Sequence, residues 1–182
     1  STVKGIFKPN AGQICVAMSR VILHPKIKDE YMTKLISKSK KLRIGSGENP
    51  DSEVTPLISK DQMQRVSNYV NSGIQSGATL ALGGKEDDNK EGNFYQPTIF
   101  DNVTTEATIA QEEIFGPVLA IIPYDTEEEA IEIANDSIFG LSGAVWSGDD
   151  ERAKRVAKKI RTGQVSVNGG SFNVAAPFGG YK

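Results

Sequence analysis

The sequence predicts an α/β protein with an open, mostly parallel sheet of about six strands and helices on both faces. Strand and helix patterns alternate through the second half of the chain, and this order needs crossover connections, which join parallel strands. One run, VLAIIPY at residues 118–124, is apolar at successive positions, as expected of a central strand covered on both sides. The chain has 182 residues, 38% hydrophobic and 24% charged, which suits a single domain over residues 1–182 with a sizeable core.

The first predicted elements are a strand and a helix. Residues 16–23 are mostly apolar and precede Pro25, which is consistent with a buried strand. In the lysine-rich segment that follows, apolar residues recur near helical spacing, which predicts a helix with one stripe toward the core and a basic, solvated face. That stripe consists of Ile27, Tyr31, Leu35 and Leu42.

A loop and a second helix come next. The loop, GSGENPDSEVTP, contains G-x-G, but it follows a helix, and Pro50 stands where a dinucleotide-binding fingerprint has its third glycine. It is therefore not interpreted as a phosphate-binding loop. Ser59 and Gln62 match a capping box, and Gly77 supplies a C-terminal stop. The apolar residues between them, at spacings of three and four, are Met63, Val66, Val70 and Ile74.

The remaining predicted elements alternate between strand and helix. Short apolar runs at residues 78–82 and 95–100 predict two strands ahead of the central one. Thr126 and Glu129 match a capping box for a helix that ends near Ala134, and Asp149 begins another that ends before Gly163. The segments LSGAVWS and QVSVN predict the last two strands. The inward positions of the last helix are Ala153, Val156, Ala157 and Ile160.

Composition excludes several classes of function. The 21 basic and 23 acidic residues leave a net charge of -2, so the domain lacks the positive field of a nucleic-acid binder. No apolar run approaches the roughly 18 residues of a transmembrane helix, and the N-terminus lacks a signal-peptide pattern, so we expect a cytoplasmic protein without a membrane partner. Cys15 is the only cysteine and His24 the only histidine; hence we expect no disulfide and no Cys/His zinc site within the chain.

The segment KPNAGQICVAMSR holds Cys15, for which the residues alone allow two interpretations. The small, turn-prone residues Asn10, Ala11 and Gly12 let a backbone approach a ligand closely, and catalytic groups often lie at junctions of loops and sheet elements. A lone cysteine is also one of the residues most often buried as a small hydrophobe, and its neighbours Ile14 and Val16 suit a core equally well. Both interpretations stay open at this point.

Two further segments are candidates for a site. In AQEEIFGPV, Glu112 and Glu113 precede an aromatic residue and a Gly-Pro turn. The simplest interpretation is a short helix capped by a box of Thr108 and Gln111, with solvated glutamates. The second segment, VNGGSFNVAAPFGGYK, is a long irregular stretch after a strand, and its aromatic residues favour function over disorder. Asn168, at its start, suits a structural role as well as substrate contact.

Taken together, these segments resemble the catalytic domain of the aldehyde dehydrogenase superfamily. The similar motifs are G-Q-x-C within NAGQIC, E-E-x-F-G-P-V and P-F-G-G-x-K, in the same order and spacing, with QPTIF and GLSGAVW between them. The resemblance covers essentially all 182 residues. It implies the fold predicted above and an enzyme that oxidises a small-molecule aldehyde with NAD or NADP, homo-oligomeric at full length.

The resemblance also implies roles for individual residues. Cys15 is the nucleophile that attacks the aldehyde, forming a thiohemiacetal and then a thioester. Glu113 accepts hydrogen bonds from the nicotinamide ribose, and Phe115 borders the nicotinamide. Phe178 and Phe172 border the substrate entrance. No metal ligand is implied.

Some parts of the family pattern are not found in these residues. The glutamate that activates water lies well upstream of the cysteine in the family, and the cofactor-binding domain, the oxyanion asparagine and the terminal oligomerisation strand also lie outside the segment that resembles this chain. We therefore expect a fragment that does not turn over by itself. The alternatives are an acylating relative that passes the acyl group to coenzyme A, and a non-catalytic module of the same fold.

Overall fold

A computed structural model describes residues 2–87, 91–171 and 173–182 of the chain. The chain divides into two compact units, Ser1–Pro123 and Tyr124–Lys182, each with a sheet of its own. The prediction of one catalytic domain over residues 1–182 stays a prediction. None of the helices in the described residues is long and apolar enough to cross a membrane.

The described residues of the first unit form four helices, four strands and one 3-10 turn. The helices are α1 (Thr2–Ile6), α2 (Pro25–Lys40), α3 (Lys60–Gln75) and α4 (Thr108–Gln111), and the 3-10 turn is Asn10–Gly12. The strands are β1 (Arg20–Leu23), β2 (Thr79–Leu82), β3 (Thr98–Asp101) and β4 (Val118–Pro123).

These four strands form one mixed sheet in the order β1-β4-β3-β2. β4 pairs in parallel with β1 and with β3, and β2 runs antiparallel to β3. The first five residues of β4 are buried, which confirms the predicted central strand. The segment that precedes β4 therefore leads directly into buried backbone.

In the second unit, the residues that the structure describes form two helices and a two-stranded sheet. Its elements are α5 (Glu127–Asn135), β5 (Ser142–Val145), α6 (Asp150–Ala157) and β6 (Gln164–Val167). β5 and β6 pair in parallel, and α6 connects them along the chain. The capping box of Thr126 and Glu129 is present in full, and Asp149 caps α6 by accepting from the N–H groups of Glu151 and Arg152.

The predicted α/β class and mostly parallel pairing are confirmed, and the described strands number six. They form two sheets, however, and not the single sheet expected. Alternation of strands and helices predicts crossover connections, but it does not say which strands become neighbours.

Two local predictions need correction. β1 begins at Arg20 and not near Val16, because residues 14–17 form a turn in which the Ala17 N–H donates to the Ile14 carbonyl at 2.9 Å. In α2 the buried residues are Met32, Leu35 and Ser39, whereas Ile27 is 55% exposed. Regular spacing in a lysine-rich helix identified the helix correctly but only part of its buried face.

Candidate active site

The loop that carries the cysteine, residues 10–15 and called here the Cys15 loop, has a tightly turned backbone. Asn10, Ala11 and Gly12 have φ values of 47°, 52° and 79°, three successive residues in the left-handed region. Within the loop, the Gly12 N–H donates to the Pro9 carbonyl at 2.9 Å and the Gln13 N–H to the Asn10 carbonyl at 3.0 Å. Ala11 and Gly12 are buried, so the turn is anchored inside the first unit.

Cys15 itself is exposed. It lies in the turn of residues 14–17 that precedes β1 and is not part of the apolar core of the first unit. The interpretation of Cys15 as a buried apolar residue therefore does not apply in this structure. An exposed thiol can be reached by an electrophile, as a nucleophile requires.

Gln13 fastens the Cys15 loop to a neighbouring loop. Its side-chain oxygen accepts from the Ile58 N–H at 2.9 Å, and its Nε2 donates to the carbonyls of Asn10 at 2.8 Å and Pro56 at 3.3 Å. Both ends of one amide are thus used. Gln13, two residues before Cys15, therefore links the two loops, a contact that its place in the G-Q-x-C motif did not reveal.

The second candidate segment, residues 112–117 and called here the Glu113 turn, connects α4 to β4. The predicted capping box at α4 is wrong, because Ala107 is the N-cap without a side-chain hydrogen bond, and Gln111 instead donates to the Thr105 carbonyl at 2.7 Å. Because α4 ends at Gln111, both glutamates lie beyond the helix.

The two adjacent glutamates have different surroundings. Glu112 accepts a 2.7 Å hydrogen bond from the Tyr69 hydroxyl, and burial together with this bond to Glu112 raises the pKa of Tyr69. Glu113 is exposed, and its backbone carbonyl accepts from Arg65 Nη2 at 2.9 Å. Both glutamates are exposed, but Glu112 is hydrogen bonded through its carboxylate and Glu113 through its backbone carbonyl.

Phe115 has an unusual backbone for a bulky residue. Its φ is 59°, and 37% of the residue is exposed. The side chain of Gln62 donates to the carbonyls of Ile114 at 3.1 Å and Phe115 at 2.8 Å. Only half of the predicted box at α3 is therefore present: Ser59 caps the Gln62 N–H, while the Gln62 side chain serves the Glu113 turn.

The two candidate segments, about a hundred residues apart in sequence, are in contact. A Cβ atom added at Gly12 would lie 2.2 Å from the Gly116 carbonyl oxygen, and one added at Gly116 would lie 2.5 Å from Val66 Cγ2. No side chain fits at either position without a shift of its neighbours. The backbones of the Cys15 loop and the Glu113 turn therefore pack directly against each other.

In the second unit, the end of the C-terminal segment contacts the connection between α5 and β5. The Tyr181 N–H donates to the Gly140 carbonyl at 2.9 Å, and Lys182 Nζ donates to the carbonyls of Asn135 at 2.8 Å and Ser137 at 2.6 Å. Phe178, predicted at a substrate entrance, is 62% exposed. Phe172 lies outside the described residues.

Of the two roles considered for Asn168, a structural one and substrate contact, the structure shows hydrogen bonds that fit the structural role. Its side-chain oxygen accepts from the Ser147 N–H at 2.9 Å, and its Nδ2 donates to Asp150 Oδ1 at 2.6 Å. The residue therefore ties the end of β6 to the start of α6.

Sequence reasoning did not connect three residues of α3 with the site. Gln62, Arg65 and Tyr69 all contact the Glu113 turn. They lie at i, i+3 and i+7, on one helix face beside the apolar stripe. The spacing of these three polar residues can be read from the sequence, but the sequence around them does not show which segment they contact.

Comparisons with known proteins agree with this arrangement. The family model described as "Aldehyde dehydrogenase family" matches residues 1–182. The chain is 44% identical over 177 residues to betaine aldehyde dehydrogenase of Bacillus subtilis, covering 95% of this chain and 36% of that protein.

Solved structures give the same result. An aldehyde dehydrogenase of Mycobacterium tuberculosis complexed with NAD+ matches with a TM-score of 0.93 at 44% identity, over 100% of this chain and 37% of that one. The NAD-dependent aldehyde dehydrogenase of Sinorhizobium meliloti matches with a TM-score of 0.95 at 38% identity, over 100% and 36%. The chain thus spans little more than a third of the length of these relatives, and it belongs to the aldehyde dehydrogenase family.

Proposed function

We propose that this chain is the catalytic part of an NAD(P)-dependent aldehyde dehydrogenase that oxidises an aldehyde to a carboxylic acid through Cys15. One observation carries the proposal: the Cys15 loop and the Glu113 turn pack against each other at Gly12 and Gly116. Cys15 and Glu113 stay exposed there, and Phe115 is 37% exposed.

The relatives support the choice of substrate class and cofactor. A betaine aldehyde dehydrogenase is among them, as is an aldehyde dehydrogenase complexed with NAD+. Because the chain spans 36–37% of the length of these relatives, the proposed activity is that of the protein at its natural length, there as a homo-oligomer. We propose that the 182 residues do not sustain turnover by themselves.

The proposed chemistry begins at the Cys15 sulfur. The thiolate attacks the aldehyde carbon, forming a C–S bond and a thiohemiacetal with negative charge on oxygen. When NAD(P) is bound, its nicotinamide ring accepts the hydride that leaves this carbon. The carbon is thereby oxidised to a thioester on Cys15, and water then cleaves the C–S bond, releasing the carboxylic acid and restoring the thiol.

The exposed residues of the Glu113 turn fit the cofactor. A carboxylate can accept hydrogen bonds from both hydroxyls of a ribose, and Glu113 is an exposed carboxylate. The exposed part of the Phe115 ring offers an apolar border for a nicotinamide. We propose that Glu113 holds the ribose, that Phe115 borders the ring, and that Phe178 belongs to the substrate entrance.

The central test replaces Cys15 by serine in the protein at its natural length. We expect oxidation of aldehyde by NAD(P) to fall by more than about a thousandfold, because a serine hydroxyl is far less ionised than a thiol near neutral pH. The product is assayed with and without coenzyme A. A carboxylic acid in both cases supports the proposal, and an acyl-coenzyme A product would assign the chain to the acylating alternative. Full activity of the Cys15→Ser variant would favour a non-catalytic module.

A second test replaces Glu113 by glutamine. We expect hydride transfer to slow by about a hundredfold, because a misplaced ribose moves the nicotinamide away from the reacting carbon. Alkylation of Cys15, followed on its peptide by mass spectrometry, should stay within about twofold, since the thiol is untouched. The matched control is Glu112→Gln, which keeps an acceptor for Tyr69 and should leave hydride transfer nearly unchanged. Normal burst kinetics in Glu113→Gln would contradict the role given to this residue.

A further inference from the structure

Three side chains on one face of α3 grip the Glu113 turn. They are Gln62, Arg65 and Tyr69, called here the α3 clamp, and they lie at i, i+3 and i+7 along the helix. Residues at this spacing share one helix face. The clamp therefore presents three polar groups together from one rigid element.

The first two clamp residues bind backbone. Gln62 Nε2 donates to the carbonyls of Ile114 and Phe115, at 3.1 and 2.8 Å, and Arg65 Nη2 donates to the Glu113 carbonyl at 2.9 Å. Three successive carbonyls of the Glu113 turn thus receive side-chain donors from a single helix. Because this stretch lies between α4 and β4, these donors take the place of the regular hydrogen bonds of a helix or a strand.

The turn needs this support. Phe115 has a φ of 59°, a conformation that L-residues other than glycine rarely adopt and that persists when surrounding contacts enforce it. Gln62 donates to the carbonyls of Ile114 and Phe115, which flank the N–Cα bond of Phe115. The φ angle is the rotation about this bond. Removing the Gln62 amide should therefore release the turn while leaving its own residues unchanged.

Tyr69 forms a hydrogen bond with Glu112, the first of the two adjacent glutamates. Its hydroxyl donates to Glu112 Oε2 at 2.7 Å and accepts from Arg65 Nη2 at 2.9 Å, and the Arg65 guanidinium lies 4.9 Å from the centre of the Tyr69 ring. Glu112 is thereby engaged within the first unit. Glu113, the next residue, is exposed like Glu112, but it contacts the clamp through its backbone carbonyl and not through its carboxylate.

We propose that Gln62, Arg65 and Tyr69 are positioning residues that select Glu113 over Glu112 and hold Glu113 and Phe115 in place for the cofactor. This inference rests on the proposed function, in which Glu113 binds the nicotinamide ribose. The clamp acts through the backbone of residues 113–115 and through Glu112.

The main test is Gln62→Met in the protein at its natural length, with Gln64→Met as the matched control. Gln64 lies on the same helix and donates to the Asn68 side chain, away from the Glu113 turn. Without cofactor, we expect amide hydrogen exchange in the peptide spanning residues 112–117 to accelerate about tenfold in Gln62→Met and to stay unchanged in Gln64→Met. Equilibrium binding of NAD should weaken about fivefold or more.

Kinetics distinguish positioning from a general loss of structure. In Gln62→Met we expect a larger isotope effect with deuterated aldehyde, because hydride transfer becomes slower relative to other steps. The KM for the aldehyde and the alkylation rate of Cys15 should stay within about twofold, since the Cys15 loop keeps its own support. A uniform loss of all these properties together with a large fall in Tm would indicate a structural role and would overturn the proposal.

Tyr69→Phe is a milder second variant, with Tyr95→Phe as its control. Tyr95 is buried and its hydroxyl bonds Ser67, so that control also loses one hydrogen bond from a buried tyrosine. Tyr69→Phe should weaken NAD binding about two- to threefold without changing aldehyde KM, and Tyr95→Phe should not. If Gln62→Met does not fold, the result from Tyr69→Phe decides.

The Glu113→Gln variant separates failure of this inference from failure of the proposed function. Slow hydride transfer in Glu113→Gln together with normal NAD binding and exchange in both clamp variants would overturn the clamp alone. Normal hydride transfer in Glu113→Gln would remove the role of Glu113, and the clamp proposal with it.

Discussion

The Cys15 loop is shaped by its own turned backbone and by one of its own side chains, which bonds a neighbouring loop, whereas the Glu113 turn is held by side chains of a distant helix. Three successive left-handed residues and the Gln13 side chain shape the loop. The turn depends on Gln62 and Arg65 of α3, about fifty residues away in sequence. We therefore expect that the nucleophile and the cofactor half of the proposed site can be disturbed separately, except where Gly12 joins them.

The largest effect is expected where the two regions meet. Gly12→Ala would place a methyl group 2.2 Å from the Gly116 carbonyl oxygen at a residue whose φ is 79°. We expect the free energy of unfolding to fall by more than about 2 kcal/mol, because left-handed strain and a backbone clash add. Both Cys15 alkylation and NAD binding should change. Urea unfolding and these two assays measure the effect.

Gly77→Ala is the matched control for this substitution. Gly77 also has a positive φ, 86°, but an added Cβ would meet nothing within 4 Å. It should therefore lose only about 1–2 kcal/mol from backbone strain and keep both functions. Equal losses in the two variants would show that the contact between Gly12 and Gly116 is unimportant.

An intermediate effect is expected from Gln13→Met, which removes the three side-chain hydrogen bonds of Gln13. Stability should fall by about 1–3 kcal/mol, and the rate of Cys15 alkylation should change severalfold as the loop loosens. Affinity for NAD should change less. This pattern is the reverse of that expected for Gln62→Met.

The two glutamine variants therefore test the comparison directly, by thiol alkylation and equilibrium NAD binding. If alkylation changes mainly in Gln13→Met and NAD binding mainly in Gln62→Met, the Cys15 loop and the Glu113 turn are held in place independently. Equal changes of both properties in both variants would show that the loop and the turn behave as one structure.

The smallest effect is expected at the ion pair of Glu53 and Lys8, the latter of which lies just before the Cys15 loop in sequence. Lys8 Nζ lies 2.5 Å from Glu53 Oε1, and this hydrogen bond, followed by one from the Arg43 N–H, lowers the pKa of Glu53 below its ordinary value of 4.5. A carboxyl with a lowered pKa in the folded state stabilises the fold above its unfolded pKa, and this contribution is lost as the pH falls through the folded pKa. Glu53→Gln should thus lower Tm at pH 7 by about 1–2 °C, with a smaller difference from the unsubstituted protein at pH 3.

Glu30→Gln is the control for this pH dependence. Glu30 pairs with Lys34 on the surface of α2, where both side chains are more than half exposed. Exposed pairs of this kind contribute little to stability. Tm should stay unchanged at both pH values, and a loss equal to that of Glu53→Gln would mean that the Lys8–Glu53 pair does not anchor the loop.

Much of the fold could be predicted because its signals are local. The capping box of Thr126 and Glu129 and the N-caps Ser59 and Asp149 act within one helical turn, and all are present. Errors arose where a local pattern had another partner. Gln62 fits a capping box by spacing, yet its amide bonds two carbonyls about fifty residues away, because these carbonyls are the acceptors that the packed turn brings close.

The sequence by itself determined the class of fold, the helix caps, the buried central strand β4 and, through its motifs, Cys15, Glu113 and Phe115 as candidates. The tertiary structure decided which strands are neighbours, that Cys15 is exposed, and that Tyr69 engages Glu112 and not Glu113. The physical reason is one of range. Caps and hydrophobic periodicity act within a few residues, whereas burial and a hydrogen bond between residues 69 and 112 exist only once the chain has packed.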